Sequence, residues 1–100
     1  MKYAFMSFST PGSSLTEMIE IAERFGYDGL EPRLDSQHAH GIEVATDAGE
    51  RQAIVEKVVA GRVQLCCLAT SLRYAGGTAT DTVVRESHER IDLAGDLGVP

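Results

Sequence analysis

The chain has 100 residues, 43% of them hydrophobic, so it is large enough for one small domain with a core and too apolar for a disordered tail. Its formal net charge of −6, with 9 basic and 15 acidic residues and no basic cluster, disfavours DNA or RNA as a partner. No apolar run approaches the roughly 18 residues of a membrane span, and the first residues lack the long apolar region of a secretory leader. We therefore expect a cytoplasmic protein with no membrane or nucleic-acid partner.

The amino-terminal residues predict a strand followed by a helix. Residues 2–8 carry apolar side chains on both faces, which is typical of a parallel strand covered on both sides. Ser14 is placed to cap the next helix, and Glu17 to complete a capping box with it. The helix is predicted over residues 14–25, with one apolar stripe formed by Leu15, Met18, Ile19, Ala22 and Phe25.

The next eight residues predict a turn into a second strand that ends in two charged groups. Gly26 tolerates the positive φ that ends a helix with least strain, and Pro32 lacks the N–H that would continue a strand. Glu31 and Arg33 share one face of that strand at its carboxyl end. Both are candidate substrate-binding residues, since Arg presents a fixed fork to a hydroxyl or carboxylate. The alternative is a structural ion pair between them.

Residues 34–46 form a polar loop that is long for its place between a strand and a helix, so it is predicted to be functional or mobile. His38 and His40 within it are weak candidates for metal ligands, because imidazole suits Zn, Cu, Fe or Ni but two ligands do not complete a site. Solvated loop histidines and a lid over substrate are the alternatives. His40, which precedes Gly41, is the candidate for substrate binding.

The second helix is predicted over residues 47–60, with Asp47 as its cap, Gly61 as its end and a stripe of Val55, Val58 and Val59. Residues 63–70 are apolar on both faces and predict a central, buried third strand. Within it, Cys66 and Cys67 are adjacent and cannot pair without a strained turn, so they are predicted to be buried thiols in a reducing compartment. One of them in a ligand pocket is the alternative.

Ser71 and Arg73 follow the third strand at its carboxyl end and are candidate substrate-binding residues. Residues 75–78 precede a helix amino terminus, where backbone N–H groups favour anions, although an ordinary capped turn is the alternative. No nucleotide-binding glycine motif and no serine-nucleophile motif is present in the sequence. The third helix is predicted over residues 81–97, with Val84, Ile91, Ala94 and Leu97 at helical spacing and Gly98 as its end.

Three strand–helix units in a row, with Val99 and Pro100 beginning a fourth, predict a parallel sheet with right-handed crossovers. Three parallel strands alone leave open edges, which predicts aggregation or dimerisation of these residues by themselves. We expect residues 1–100 to be the amino-terminal part of a larger domain, a (β/α)8 barrel of about 250 residues. A small open three-layer sheet is the alternative.

Three segments resemble the sugar phosphate isomerase/epimerase family, the xylose-isomerase-like barrels that also include AP endonuclease family 2. The first is Gly26-Tyr27-Asp28-Gly29-Leu30-Glu31, followed by Arg33, which is similar to that family's turn into its second strand. Residues 68–74 resemble its third strand and loop, and residues 94–100 resemble the segment that leads into its fourth strand. The similarity spans the whole chain.

The resemblance implies a divalent-metal-dependent isomerase or epimerase that moves a proton next to the carbonyl of a sugar, a sugar phosphate or a keto-inositol. Its metal (Mn, Zn, Mg or Co) would be bound by Glu, Asp, His and Glu from strands beyond residue 100, where the catalytic residues are also expected. The present stretch would supply one wall of the substrate pocket, through Glu31, Arg33, His40, Ser71 and Arg73. A dehydratase or lyase on the same barrel, and a non-catalytic ligand-binding α/β module, are the alternatives.

Overall fold

The computed structural model describes residues 1–72 and 80–100. Strands and helices alternate along it, so the predicted α/β class is confirmed. A single 3-10 turn, Ser7–Ser9, follows the first strand. The regular elements are β1 (Ala4–Met6), α1 (Leu15–Phe25), β2 (Gly29–Glu31), α2 (Ala48–Ala60), β3 (Gln64–Leu65) and α3 (Thr80–Asp96).

The three strands form one parallel sheet in the order β1-β2-β3, as the alternation of elements predicts. Gly29 lies opposite both Ala4 and Gln64, and an isolated bridge between Arg33 and Ala69 continues the pairing past the end of β2. The strands β1 and β3 are shorter than residues 2–8 and 63–70, the ranges predicted for them. The reason at β1 is that the chain turns at Ser7 into the 3-10 helix.

One face of the sheet carries the core. Leu30 and Leu65 are buried on that face and pack in a single cluster with Leu97, which follows α3, and with residues from all three helices: Leu15, Met18, Ile19, Ala22, Ile54, Val58 and Leu93. The pairing register places Ala4, Met6 and Gln64 on the opposite face, and all three are exposed. The expectation of strands covered on both faces is therefore wrong for the described residues, because every helix packs on the same side.

The helix ends agree with the sequence signals. Ser14 Oγ accepts from the N–H of Glu17 at 3.2 Å while Glu17 Oε1 accepts from the N–H of Ser14 at 3.1 Å, which completes the predicted capping box. Asp47 caps α2 through the N–H of Glu50, and Gly26 ends α1 in the left-handed conformation with φ of 76°. At the end of α2, a Cβ on Gly61 would collide with the side chain of Ile19. Glycine at that position therefore lets α2 approach α1.

The predicted apolar stripes are only partly buried. Phe25, Val59 and Ile91 are 67%, 71% and 64% exposed, whereas Ile54, Val83 and Leu93, which the predicted stripes omit, are buried. Helical spacing determines which residues share a face, but it does not determine which of two neighbouring apolar faces meets the sheet. The described part of the chain contains no helix with the length and apolarity to cross a membrane.

Candidate functional site

The carboxyl ends of the three parallel strands meet at one edge of the sheet, and polar side chains follow each of them. Ser7 follows β1, Arg33 follows β2 and Thr70 follows β3. The loop after β2 turns back over this edge, because the N–H of Ala39 donates to the carbonyl of Pro11 at 2.9 Å. Ile42 of this loop is fully buried in the core cluster, so the loop packs against the core. We call residues 7–8, 31–33 and 38–40 the rim.

Ser7 links two parts of the rim. Its side chain is fully buried, and its Oγ accepts from the backbone N–H of Arg33 at 2.8 Å and lies 2.7 Å from His38 Nδ1. The hydroxyl proton has no other acceptor among residues 1–72 and 80–100, so the geometry favours donation to His38 Nδ1. A neutral His38 then carries its own proton on Nε2.

Phe8 packs against the side chains of His38 and Arg33. Its ring lies edge-on to the ring of His38, with centroids 5.3 Å apart, and the Arg33 guanidinium lies 5.2 Å from its centroid. The Nε of Arg33 is buried and makes no hydrogen bond with the described residues. The described part of the chain also contains no ion pair between Glu31 and Arg33, so the alternative reading of these two residues as a structural ion pair has no support.

Glu31 lies instead beside the thiols of Cys66 and Cys67. Both cysteines are free and exposed, so the prediction that they are buried is wrong. Cys66 follows the buried Leu65 and lies on the face of Ala4 and Gln64, which no described helix covers. Partial burial raises the pKa of each thiol, and the nearby carboxylate of Glu31 raises it further. Neither thiol is therefore activated as a nucleophile at neutral pH.

His40 is a buried member of the rim, 6% exposed, with its ring centroid 5.7 Å from that of His38. Its Nδ1 accepts from the backbone N–H of Ile42 at 2.9 Å, which assigns the proton of the neutral ring to Nε2. Burial lowers the pKa of His40, and the charge of His38 lowers it further, against the opposing effects of the Arg33 backbone and Glu43. His40 is therefore neutral at physiological pH, and its substrate-binding role stays a prediction.

The histidines do not form a metal site with the residues around them. In the part of the chain that the structure describes, no group of three or more His, Cys, Asp or Glu is placed to hold a metal ion. Nδ1 of both rings is already hydrogen-bonded, to Ser7 in one case and to Ile42 in the other. The described residues therefore do not fit the divalent ion that the resemblance implies, and its expected ligands beyond residue 100 stay a prediction.

A second polar cluster joins the loops after β2 and β3 to α3. Asp35 Oδ1 pairs with Arg90 Nη2 at 2.6 Å, and Asp35 Oδ2 accepts from Thr70 Oγ1 at 2.8 Å and from both the N–H and Oγ of Ser71 at 3.2 Å. We call Asp35, Thr70, Ser71 and Arg90 the clamp. Burial acts to raise the pKa of Asp35, but these hydrogen bonds and the charge of Arg90 outweigh it and lower the pKa to about 2.

The clamp bears on two of the candidate residues. The hydroxyl and N–H of Ser71 both donate to Asp35, so Ser71 is held in the clamp, and its predicted contact with substrate stays a prediction. Arg73 lies outside the described residues, as does the candidate anion-binding turn at residues 75–78.

Sequence reasoning missed Ser7, Asp35 and Arg90 as site residues. Ser7 carries the same signal as Glu31, a polar side chain at the carboxyl end of a strand, but it was hidden inside a strand predicted to end at residue 8. Asp35 and Arg90 are 55 positions apart, and no local pattern connects them.

No protein-family model matches the chain, and no curated protein sequence matches it either. A proposal about function therefore rests on the geometry of the rim and the strand order of the sheet.

Proposed function

We propose that the chain forms three consecutive βα units of a (β/α)8 barrel, and that the protein is a divalent-metal-dependent isomerase or epimerase of the sugar phosphate isomerase/epimerase family. Its substrate is a small sugar, sugar phosphate or keto-inositol, and its location is the cytoplasm. The observation that carries the proposal is the unreversed strand order β1-β2-β3, with all three helices on one face of the sheet.

The strand order favours a barrel over an open doubly wound sheet. Right-handed crossovers between strands taken in sequence order place every helix on the same side. A doubly wound sheet reverses its strand order and thereby covers both faces with helices. In a closed barrel the second face is covered by side chains of the other strands. The exposed Ala4, Met6 and Gln64 lie on the face that would turn inward.

The flanks of the sheet also suit a barrel. Beside β1 lies a cleft of about 480 Å³ lined by Phe5, Ile21, Phe25 and Tyr27 among others, and beside β3 lies a cleft of about 360 Å³ whose lining includes Leu68, Ile91 and Val99. These are the places where neighbouring βα units pack in a closed ring. Phe25 and Ile91, two of the exposed members of the predicted apolar stripes, line them.

Barrel enzymes bind substrate at the carboxyl ends of the strands, which is the edge that bears the rim. There the guanidinium of Arg33 offers a planar fork of donors, and the carboxylate of Glu31 offers acceptors for substrate hydroxyl groups. His38, hydrogen-bonded to Ser7, presents Nε2 for donation to a substrate oxygen. A divalent ion, when bound by other strands, would polarise the oxygen atoms of the substrate.

The test is turnover in D2O by the full-length protein, with Mn, Zn, Mg or Co, on a panel of ketoses, ketose phosphates and inososes. The expected result is an isomeric product with deuterium at the carbon next to the carbonyl. Loss of water from the substrate would favour the dehydratase alternative, and binding without turnover would favour a ligand-binding module. If no compound is bound or converted under any metal, the proposal is wrong.

Arg33→Ala, with Arg24→Ala as its control, tests whether the rim contacts the substrate. We expect kcat/KM to fall by about 10- to 100-fold, the value of one or two hydrogen bonds to a charged group, with a nearly unchanged Tm. The fold should tolerate the change because the only side-chain interaction of the guanidinium in the described structure is with Phe8. Arg24→Ala is the control, since that guanidinium also lies over an aromatic ring, 5.5 Å from the centroid of Phe25, but on an exposed helix surface. A loss of folding in step with activity would contradict a substrate-facing role.

A further inference from the structure

We propose that the substrate carries an oxyanion, either a carboxylate or a phosphate, and that Arg33 is the residue that binds it. This inference rests on the proposed function and narrows it to anionic substrates, such as sugar phosphates and sugar acids, over neutral ketoses and inososes.

The first argument is the missing counter-charge of Arg33. In the described structure, the half-buried arginines Arg51 and Arg90 are each paired with an aspartate, at 2.8 Å and 2.6 Å. Arg33 is half-buried too, yet the described residues give its side chain neither an ion pair nor a hydrogen bond, and its Nε is shielded from water. Removing a charged group from water without a partner costs free energy. A bound anion would recover that cost.

The second argument is that Arg33 is held in place before any ligand binds. Its backbone N–H is bound by the buried Ser7 hydroxyl at 2.8 Å, and its guanidinium lies over the ring of Phe8. Because neither Nη group donates to a described residue, both are left to donate two parallel hydrogen bonds to one ligand. A carboxylate and a phosphate both match that geometry, and a pre-ordered side chain loses little entropy when it binds one.

The third argument is the charge balance around Arg33. His38 packs on the same Phe8 ring and presents a second N–H donor at the rim. Glu31 lies beside the cysteine thiols, and Glu43 Oε1 accepts from the backbone N–H of Asp35 at 2.7 Å. Neither carboxylate forms an ion pair with Arg33 in the described structure. The Arg33 guanidinium is therefore left for an external anion.

The experiment is an NMR titration of the 15N-labelled full-length protein that follows the arginine Nε–H signals. Inorganic phosphate, gluconate and myo-inositol are added in separate titrations. We expect phosphate or gluconate to shift the Arg33 signal in a saturable way and to leave the stacked but exposed Arg24 unmoved. Arg33→Gln should weaken the binding at least about tenfold, and Arg24→Gln should not change it. Saturation by phosphate identifies a phosphate ester, and saturation by gluconate identifies a sugar acid.

The proposal is overturned if neither anion saturates the Arg33 signal, or if Arg33 and Arg24 shift in parallel. Because the titration of the unmodified chain supplies this result, it does not depend on Arg33→Gln folding. If myo-inositol alone perturbs the rim, the anion proposal fails while an isomerase for neutral polyols stands. If an anion binds at Arg33 but the full-length protein converts no substrate, the anion site stands and the proposed function fails.

Discussion

Two half-buried arginines lie near the carboxyl-end edge of the sheet, and their surroundings differ in kind. The guanidinium of Arg90 donates to Asp35 at 2.6 Å, to Thr70 at 3.0 Å and to the carbonyl of Glu86 at 2.9 Å. The guanidinium of Arg33 lies against Phe8 and makes no hydrogen bond with the described residues. Arg90, whose hydrogen bonds are all made to other residues of the chain, has a structural role. Arg33, whose guanidinium has no hydrogen-bond partner among the described residues, is left for a ligand.

The same contrast extends to the two clusters. The clamp joins two loops to α3 through bonds that are complete within the chain, so its contribution should appear in folding stability. In the rim, the buried hydroxyl of Ser7 and the ring of Phe8 hold Arg33 and His38 in place. The N–H groups of the Arg33 guanidinium make no hydrogen bond with the described residues. The contribution of the rim should appear mainly in binding. Three substitution experiments test this division.

The largest expected effect is that of Arg90→Ala. Removing this guanidinium leaves the Asp35 carboxylate without its charged partner and breaks the link from α3 to both loops. Loss of one partner of a buried ion pair costs about 3–5 kcal/mol, and because both side chains keep some exposure we expect about 2–3 kcal/mol. Urea unfolding at pH 7 measures this directly.

Arg85→Ala is the matched control, because Arg85 is exposed on the same helix and should change the free energy of unfolding by less than about 0.5 kcal/mol. Equal effects of the two substitutions would mean that the clamp does not stabilise the fold, and the contrast between Arg90 and Arg33 would lose its meaning.

Much of the fold could be predicted from local signals. The capping box at Ser14, the cap at Asp47 and the end of α1 at Gly26 depend on neighbouring residues only, and all three are confirmed. The parallel order of the strands follows from the alternation of strand and helix patterns.

The errors have a common physical origin in contacts between distant residues. The pattern of residues 63–70 shows apolarity but not which face of the strand is covered, so the exposure of Cys66 and Cys67 could not be predicted from it. Glu31 and Arg33 were found at the strand end because alternation is local. The bonds of Ser7 to His38 and of Asp35 to Arg90 span 31 and 55 residues, which no local pattern reports.

A smaller effect is expected for Ser7→Ala. The buried hydroxyl accepts the backbone N–H of Arg33 and supports His38, so its removal leaves a buried donor unpaired. Such a loss costs about 1–3 kcal/mol, and we expect the low end, about 1–2 kcal/mol, because the rim is partly open to water. Ser9→Ala, at an exposed position two residues on, is the control.

The informative readout for Ser7→Ala goes beyond stability. The 15N shifts of the His38 ring should lose the signature of a hydrogen-bonded acceptor at Nδ1, because the serine hydroxyl is gone. Anion affinity at Arg33 should fall as well, since its backbone is no longer fixed. Unchanged ring shifts would show that Ser7 does not set the tautomer of His38, and the rim would then be less ordered than its geometry indicates.

The smallest expected effect is the acid sensitivity of the clamp. The pKa of Asp35 is about 2 in the folded chain, below the value of about 3.9 for an unfolded aspartate. The carboxylate therefore contributes stability that is fully present above about pH 4 and is lost as the pH falls towards 2. We expect this contribution to the free energy of unfolding to be about 1 kcal/mol once solvent screening is allowed for.

Asp35→Asn should be less stable than the unmodified chain at pH 6, and the difference should shrink between pH 4 and pH 2.5. The same change at the exposed Asp92 should leave the difference flat across that range. A difference for Asp35→Asn that also stays constant would mean that the carboxylate titrates alike in both states, and the clamp would then be held by hydrogen bonds without help from charge.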